Sequence, residues 1–329
     1  MKFFLKTILL FSLLLTSGVI LGQEHQKVSF GICTDAHLNL MHDAEERLTA
    51  FIDAMKERKP DFIIELGDFF PPDKKYNSFY NIWNSFPGEK YHVIGNHEPD
   101  GGFTWKQVLE DRGMENPYYA FEKNGFRFIV LDCNNKQHPD EKPYFNFVGP
   151  EQIEWLKAEL SETRLPVVVF SHQALFSPKG NENMGVKNTS EIQSIFENHN
   201  RKNPQQRVIA CFNGHTHLDI AEKQGGIWYI TINSLSYNWL GGDYTHVRYS
   251  KEVDEAYPYI KYTAPYKDPL FTVAEISTKG TIKMEGKKTE WVGPSPWDLG
   301  YPDDLKNYLR PRISERSLKF GMKKTQKRN

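Results

Sequence analysis

Short apolar runs recur along the chain, and five of them stop at a turn bearing Asp, Asn or His. Residues 28–33 lead into Thr34-Asp35-Ala36-His37, and 62–66 into Gly67-Asp68. Residues 91–94 lead into Gly95-Asn96-His97-Glu98, 167–170 into Ser171-His172, and 207–212 into Asn213-Gly214-His215-Thr216-His217. Runs this short, rich in Val, Ile and Phe and closed by turn residues, predict strands. Longer amphipathic stretches separate them. In 44–59, Leu48, Phe51, Ile52 and Met55 recur at i, i+3, i+4, i+7 spacing, and Pro60 stops the pattern. Residues 76–86, 104–112, 151–160 and 191–199 also predict helices, while 126–131 and 227–232 predict further strands. Residues 271–277 and 281–285 flank a Lys-Gly turn and predict a hairpin. Strand–helix alternation confines the chain to the α/β class, with a parallel or mixed sheet covered by helices. Ligands in such folds bind beyond the carboxyl ends of the strands. The five polar turns therefore fall on one edge.

Each turn alone is weak. A Gly-Asp pair is usually a turn, and a lone strand-end His, such as His92 or His138, is usually a hydrogen-bonded or surface residue. Five at one edge are a different case. Asp-x-His and His-x-His place side chains two residues apart, on one side of an extended segment. Carboxylate, amide and imidazole donors without thiolate suit Zn, Mn or Fe. Seven plausible ligands are too many for one tetrahedral ion, whereas two ions sharing a carboxylate fit the count. Paired ions roughly 3.5–4 Å apart clamp the attacking and leaving oxygens of a phosphoryl displacement.

In order, Asp-x-His, Gly-Asp, Gly-Asn-His-Glu, a strand-end His and Gly-His-x-His resemble the motifs of the calcineurin-like metallophosphoesterase superfamily, from Asp35 to His217. The resemblance implies a four-layer α/β/β/α sandwich with mixed central sheets. It implies that Asp35, His37 and His217 hold a first metal, that Asn96, His172 and His215 hold a second, and that Asp68 bridges them. It also implies a bridging hydroxide attacking phosphorus, with His97 contacting the phosphate and assisting the leaving group. Glu98 either orients a neighbour or faces solvent.

Departures narrow the resemblance. Protein serine/threonine phosphatases carry Gly-Asp-x-x-Asp-Arg-Gly, but here Gly67-Asp68 runs into Phe69-Phe70-Pro71-Pro72. The Asp that orients the His in that group, and the Arg that grips phosphate, are missing from this motif. Pro71 stands where purple acid phosphatases need Tyr. The Asp-x-His opening looks more like the branch of cyclic nucleotide and glycerol phosphodiesterases and ADP-ribose/CDP-alcohol diphosphatases. Pro117-Tyr118-Tyr119-Ala120-Phe121 and Gly149-Pro150-Glu151-Gln152 look like that branch too. The expectation is a dinuclear metal-dependent hydrolase of phosphomonoesters or phosphodiesters. The alternatives are a nucleotide pyrophosphatase or nuclease, and a metal-stabilised binding protein without catalysis.

Composition bounds the rest. Net charge is −1, so the whole-chain balance points to no nucleic-acid partner. The expected partner is a small phosphorylated substrate, and no membrane contact is expected after cleavage of a leader. That leader is residues 1–22: Lys2 and Lys6, then an apolar run to Leu21 too short for a comfortable span, then Gly22 before Gln23. Export to the periplasm or medium is the expectation. Cys33, Cys133 and Cys211 are too few and scattered for a disulfide framework and read as buried thiols. The expected domains are the leader, a catalytic domain over 23–285 and an extension over 286–329. From Arg310 the extension carries eight Lys or Arg and one Glu and reads as a solvated tail. Three segments, 99–103, 173–190 and 236–266, follow motifs and are candidates to line the site. In 236–266, Tyr237 and Trp239 are candidates to stack on a substrate, and Arg248 or His246 to meet a phosphate.

Overall fold

A computed structural model describes residues 26–178 and 184–321. The expected leader, residues 179–183 of the 173–190 segment and the end of the basic tail from residue 322 lie outside the described residues. In chain order, the early strands are β1 (Lys27–Cys33), β2 (Phe62–Glu65), β3 (Glu89–His92), β4 (Tyr119–Lys123), β5 (Phe126–Leu131) and β6 (Val167–Ser171). Next come β7 (Val208–Asn213), β8 (Ile220–Gln224), β9 (Ile227–Thr231), β10 (Tyr237–Trp239) and β11 (Thr263–Pro265). The last are β12 (Thr272–Ser277), β13 (Thr281–Met284), β14 (Lys287–Lys288), β15 (Arg312–Ile313) and β16 (Arg316–Lys319). The helices are α1 (Ala44–Arg58), α2 (Asn77–Asn84), α3 (Trp105–Arg112), α4 (Pro150–Glu162), α5 (Thr189–Lys202) and α6 (Lys251–Ala256).

Two mixed six-stranded sheets form, in the orders β16-β13-β12-β1-β2-β3 and β4-β5-β6-β7-β9-β8. The strands that end in polar turns run parallel: β1, β2 and β3 in the first sheet, β5, β6, β7 and β9 in the second. Antiparallel strands flank the parallel group on one side in the first sheet and on both sides in the second. Alternation along β1 shows how the layers stack. Phe30 and Ile32 face the other sheet, and the Phe30 ring lies 5.1 Å from Phe62 and 5.5–5.8 Å from Phe128, Phe170 and Phe212. Cys33 and Ile63 face the other way, onto Leu48, Phe51, Ile52 and Met55 of α1 and Phe79 and Trp83 of α2. On the far side, α4 and α5 cover Ile129, Leu131, Val167 and Val169 through Leu156, Ile192 and Phe196. The result is helix, sheet, sheet, helix. The three cysteines are free and buried.

Helix ends follow local chemistry. Helix α1 carries Glu45 and Glu46 in its first turn and Lys56 and Arg58 in its last, each complementing the helix dipole. Helix α3 starts in a capping box between Thr104 and Gln107 and ends at Gly113 in the left-handed region.

Two expectations shift. The third strand lies two residues earlier than 91–94, although Val93 still donates its N–H to the Glu65 carbonyl. The stretch after residue 285 also returns to the first sheet, where β16 pairs antiparallel with β13 and Leu318 sits opposite Ile282. Through Gly321 this is not a solvated tail. Arg312 and Arg316 are drawn in by buried Asp219, which lies 2.5 Å from Arg316 Nη2 and 3.5 Å from Arg312 Nε.

Candidate metal centre

The loops after β1 and β2 are laced together by backbone. Asp35 N–H donates to the Gly67 carbonyl and His37 N–H to that of Asp68, each at 2.9 Å. His97 N–H donates to Asp68 Oδ1 at 2.8 Å, and His215 N–H to Asp35 Oδ2 at 2.9 Å. This approach leaves no room for side chains at two positions. A Cβ on Gly95 would stand 2.3 Å from Asp68 N, and one on Gly214 would stand 2.4 Å from Asp35 Oδ2. The turns are also strained. Asp35, His37, Asp68, His215 and His217 all adopt positive φ, between 43° and 69°. That region is uncommon for residues other than Gly, and it recurs at functional sites.

The strain aims the side chains inward. Ligand atoms of Asp35, His37 and His217 lie within 4.8 Å of one another, and so do those of Asp68, His172 and His215. Asp68 Oδ2 reaches both groups, at 3.6 Å from His37 Nε2 and 3.1 Å from His172 Nε2. Asn96 Oδ1 joins the second group at 3.1 Å from His172 Nε2, and His215 Nδ1 lies 3.1 Å from the same nitrogen. Asp35 Oδ1 lies 3.2 Å from His217 Nε2 and 4.0 Å from His172 Nε2. All seven expected ligands therefore converge, in the grouping the resemblance implied.

The donor set fits metal ions. Asp35 and Asp68 are buried, and among the described residues no Lys or Arg lies within ion-pair distance of either. Buried carboxylates of this kind need a counter-charge. Two histidines are held from behind: His172 Nδ1 bonds the Leu66 carbonyl and His217 Nδ1 the Tyr237 carbonyl, both within 2.8 Å, which leaves each Nε2 facing the carboxylates. Metal-ligating histidines are oriented in this way. Without ions, the cluster balances its own charge. Burial pushes His37 down to about 3 and His215 to about 4. Burial also opposes charge on His172, but Asp68, Asp35 and Glu98 together outweigh it and raise the imidazole to about 10.

His97 stands beside this cluster, its ring 5.3 Å from that of His37. Its Nδ1 lies 2.8 Å from Asp100 Oδ2. Burial opposes its protonation, yet Asp68 and Asp100 together raise it to about 9. The Glu98 side chain makes no hydrogen bond to His97 among the described residues. It is buried, accepts the Phe69 N–H at 3.0 Å and holds the chain just past Asp68. Burial, with Asp68 and Glu65 nearby, pushes its carboxyl up to about 8.

Sequence reasoning missed several supports. His92, read as an ordinary strand-end histidine, bonds Glu65 at 2.8 Å, and Glu65 in turn accepts the Gly67 N–H at 2.7 Å. Asp100 sits inside 99–103, a segment expected to line the site but without Asp100 singled out, and Tyr144 arrives from a loop that no pattern flagged. Of the aromatic segment, Tyr237 is buried against His37 and His217, with ring centroids 5.2 Å from both. Trp239 is exposed. The Arg248 guanidinium is taken up by the carbonyls of Thr263, Val292 and Pro294, so its contacts are structural.

Fold and site together define a metal-dependent phosphoester hydrolase. The chain belongs to the calcineurin-like phosphoesterase family, whose sequence profile matches residues 28–219. That family is dinuclear metal-dependent, and the two ligand clusters agree with it. No curated protein sequence matches the chain. Among solved structures it is similar to a dimetal phosphatase from Danio rerio, with a TM-score of 0.59 at 15% identity, over 82% of this chain and 99% of that one. It is also similar to GAP50, the anchor in the inner membrane complex of Plasmodium, with a TM-score of 0.50 at 15% identity, over 92% of this chain and 90% of that one.

Proposed function

We propose that this chain is an exported enzyme that hydrolyses small phosphomonoesters or phosphodiesters at a dinuclear centre, with His97 assisting the leaving group. The convergence of seven donors into two clusters that share Asp68 carries this reading. Asp35, His37 and His217 would hold one ion, and Asn96, His172 and His215 the other, with Asp68 between them. When bound, such a pair supplies Lewis acidity at the phosphoryl oxygens and activates water. The chain's own residues do the rest. Asp68 fixes the His97 backbone through its Oδ1, and Asp100 holds the ring at Nδ1. The free Nε2 of His97 is then the atom that gives a proton to the departing oxygen.

Elemental analysis of the purified mature protein, paired with hydrolysis of a chromogenic diester and its monoester with and without Mn, tests the reading. About two metals per chain with metal-dependent turnover are expected, and the ratio of the two rates sets the ester class. Metal binding without turnover of either would sink it. A nucleotide pyrophosphatase is the second reading, favoured by exposed Trp239 two residues beyond Tyr237; cleavage of a dinucleotide pyrophosphate in preference to both esters would select it. Export predicts a mature amino terminus at Gln23, and a purified chain that keeps Met1 would contradict it.

A further inference from the structure

The motif that supplies an Asp to orient the histidine in protein serine/threonine phosphatases is absent here, yet His97 is not left loose. Asp100, three residues on in the same turn, places Oδ2 at 2.8 Å from His97 Nδ1. The turn brings it there: Asp100 N–H donates to the His97 carbonyl at 3.1 Å. The other oxygen of Asp100 is also taken, since Tyr144 OH donates to Oδ1 at 3.2 Å. The Tyr144 ring lies 4.5 Å from the His97 imidazole, so one tyrosine both anchors the carboxylate and packs on the ring the carboxylate holds. Two further observations set Tyr144 apart from a chance contact. It is one of the few large apolar side chains left exposed among the described residues, at 55%. It also sits at φ 68°, a costly backbone state for a bulky residue, and such outliers cluster at functional sites. Among the described residues the His97 Nε2 makes no hydrogen bond.

We infer that Asp100 and Tyr144 form a clasp that positions His97 for proton donation to the leaving group, Asp100 fixing the ring's tautomer and rotation and Tyr144 fixing Asp100. The inference rests on the role proposed above for His97. Both clasp residues are positioning residues, acting through His97. A carboxylate that accepts the Nδ1 proton keeps Nε2 as the working nitrogen. Losing it lets the ring rotate and change tautomer, which slows only substrates that need the proton.

The test compares bis(4-nitrophenyl) phosphate, whose leaving group needs little protonation, with diphenyl phosphate, whose leaving group needs it. The full mature chain loaded with Mn is used, with Asp100→Ala, Tyr144→Phe and His97→Ala alongside. Asp100→Ala is expected to lower kcat on diphenyl phosphate about 10–100-fold, with a much smaller loss on the nitrophenyl diester and unchanged metal content. Tyr144→Phe should show the same selectivity, more weakly. A second readout needs no turnover. In the metal-free protein, held alkaline enough that the imidazole is neutral, the ring nitrogen shifts of His97 should move toward the Nε2–H tautomer in Asp100→Ala. Equal losses on the two substrates, or unmoved nitrogen shifts, would overturn the clasp. If His97→Ala shows the leaving-group selectivity and Asp100→Ala does not, the clasp alone is wrong. If His97→Ala shows none, the role proposed for His97 is wrong and the clasp falls with it.

Discussion

Phe30 and Asp35 stand five residues apart on one strand and its turn, and they obey opposite rules. Around Phe30 the chain does what local preference asks: extended backbone, alternating side chains and aromatic rings at ordinary stacking distances. Around Asp35 it does the reverse. Backbone φ turns positive at five candidate ligand positions, two carboxylates are buried with no Lys or Arg partner among the described residues, and three imidazoles crowd against them. The inter-sheet core supplies the free energy that the strand-end turns consume. A site can be strained only where the layer beneath it is over-determined.

This contrast breaks most visibly at Asp68. Asp68→Asn removes the charge shared by both clusters, so activity should vanish and metal content fall, as read by elemental analysis and turnover. Full metal and full rate in that variant would end the sharing assignment. His97→Ala lies outside both clusters. It should keep its metal while the rate drops on the order of 10²–10⁴; a loss of metal would make His97 a ligand instead. Phe30→Ala tests the other side. It opens a cavity among four phenylalanines and should cost about 3–5 kcal/mol of stability, seen as a lower Tm, with activity per folded molecule unchanged. If activity fell first, the site would depend on Phe30 more closely than this division allows. Thr104→Ala alters a helix cap rather than either region. It removes one half of a capping box and should cost about 1 kcal/mol in denaturant unfolding, with metal content untouched.

The fold and the convergence of the candidate ligands were legible because both are written locally. Strand alternation needs only neighbouring residues, and each ligand follows a strand directly. The supports were not legible, because each is a pairing across the fold. Glu65 and His92 meet only after β2 and β3 align. Tyr144 reaches Asp100 across 44 residues. The strand at 316–319 was hidden by its charges, since Arg316 and Lys319 look solvent-bound until Asp219 is placed beside them. Asp100 lay in plain view three residues after His97, but the spacing gains meaning only from the turn that folds it back.

The pairing of β1 with β12 has a consequence for assembly. Lys27 lies opposite Ser277, so the strand that positions Asp35 waits for a partner made some 250 residues later. Contacts this distant in sequence slow folding. The ribosome releases Asp35, His37, Asp68 and Asn96 well before His172, His215 and His217, and neither ligand cluster is complete until the second sheet exists. Metal capture should therefore be a late event, coincident with closure of the whole sandwich. Chains truncated before residue 272 should stay protease-sensitive and metal-free however much Mn is supplied.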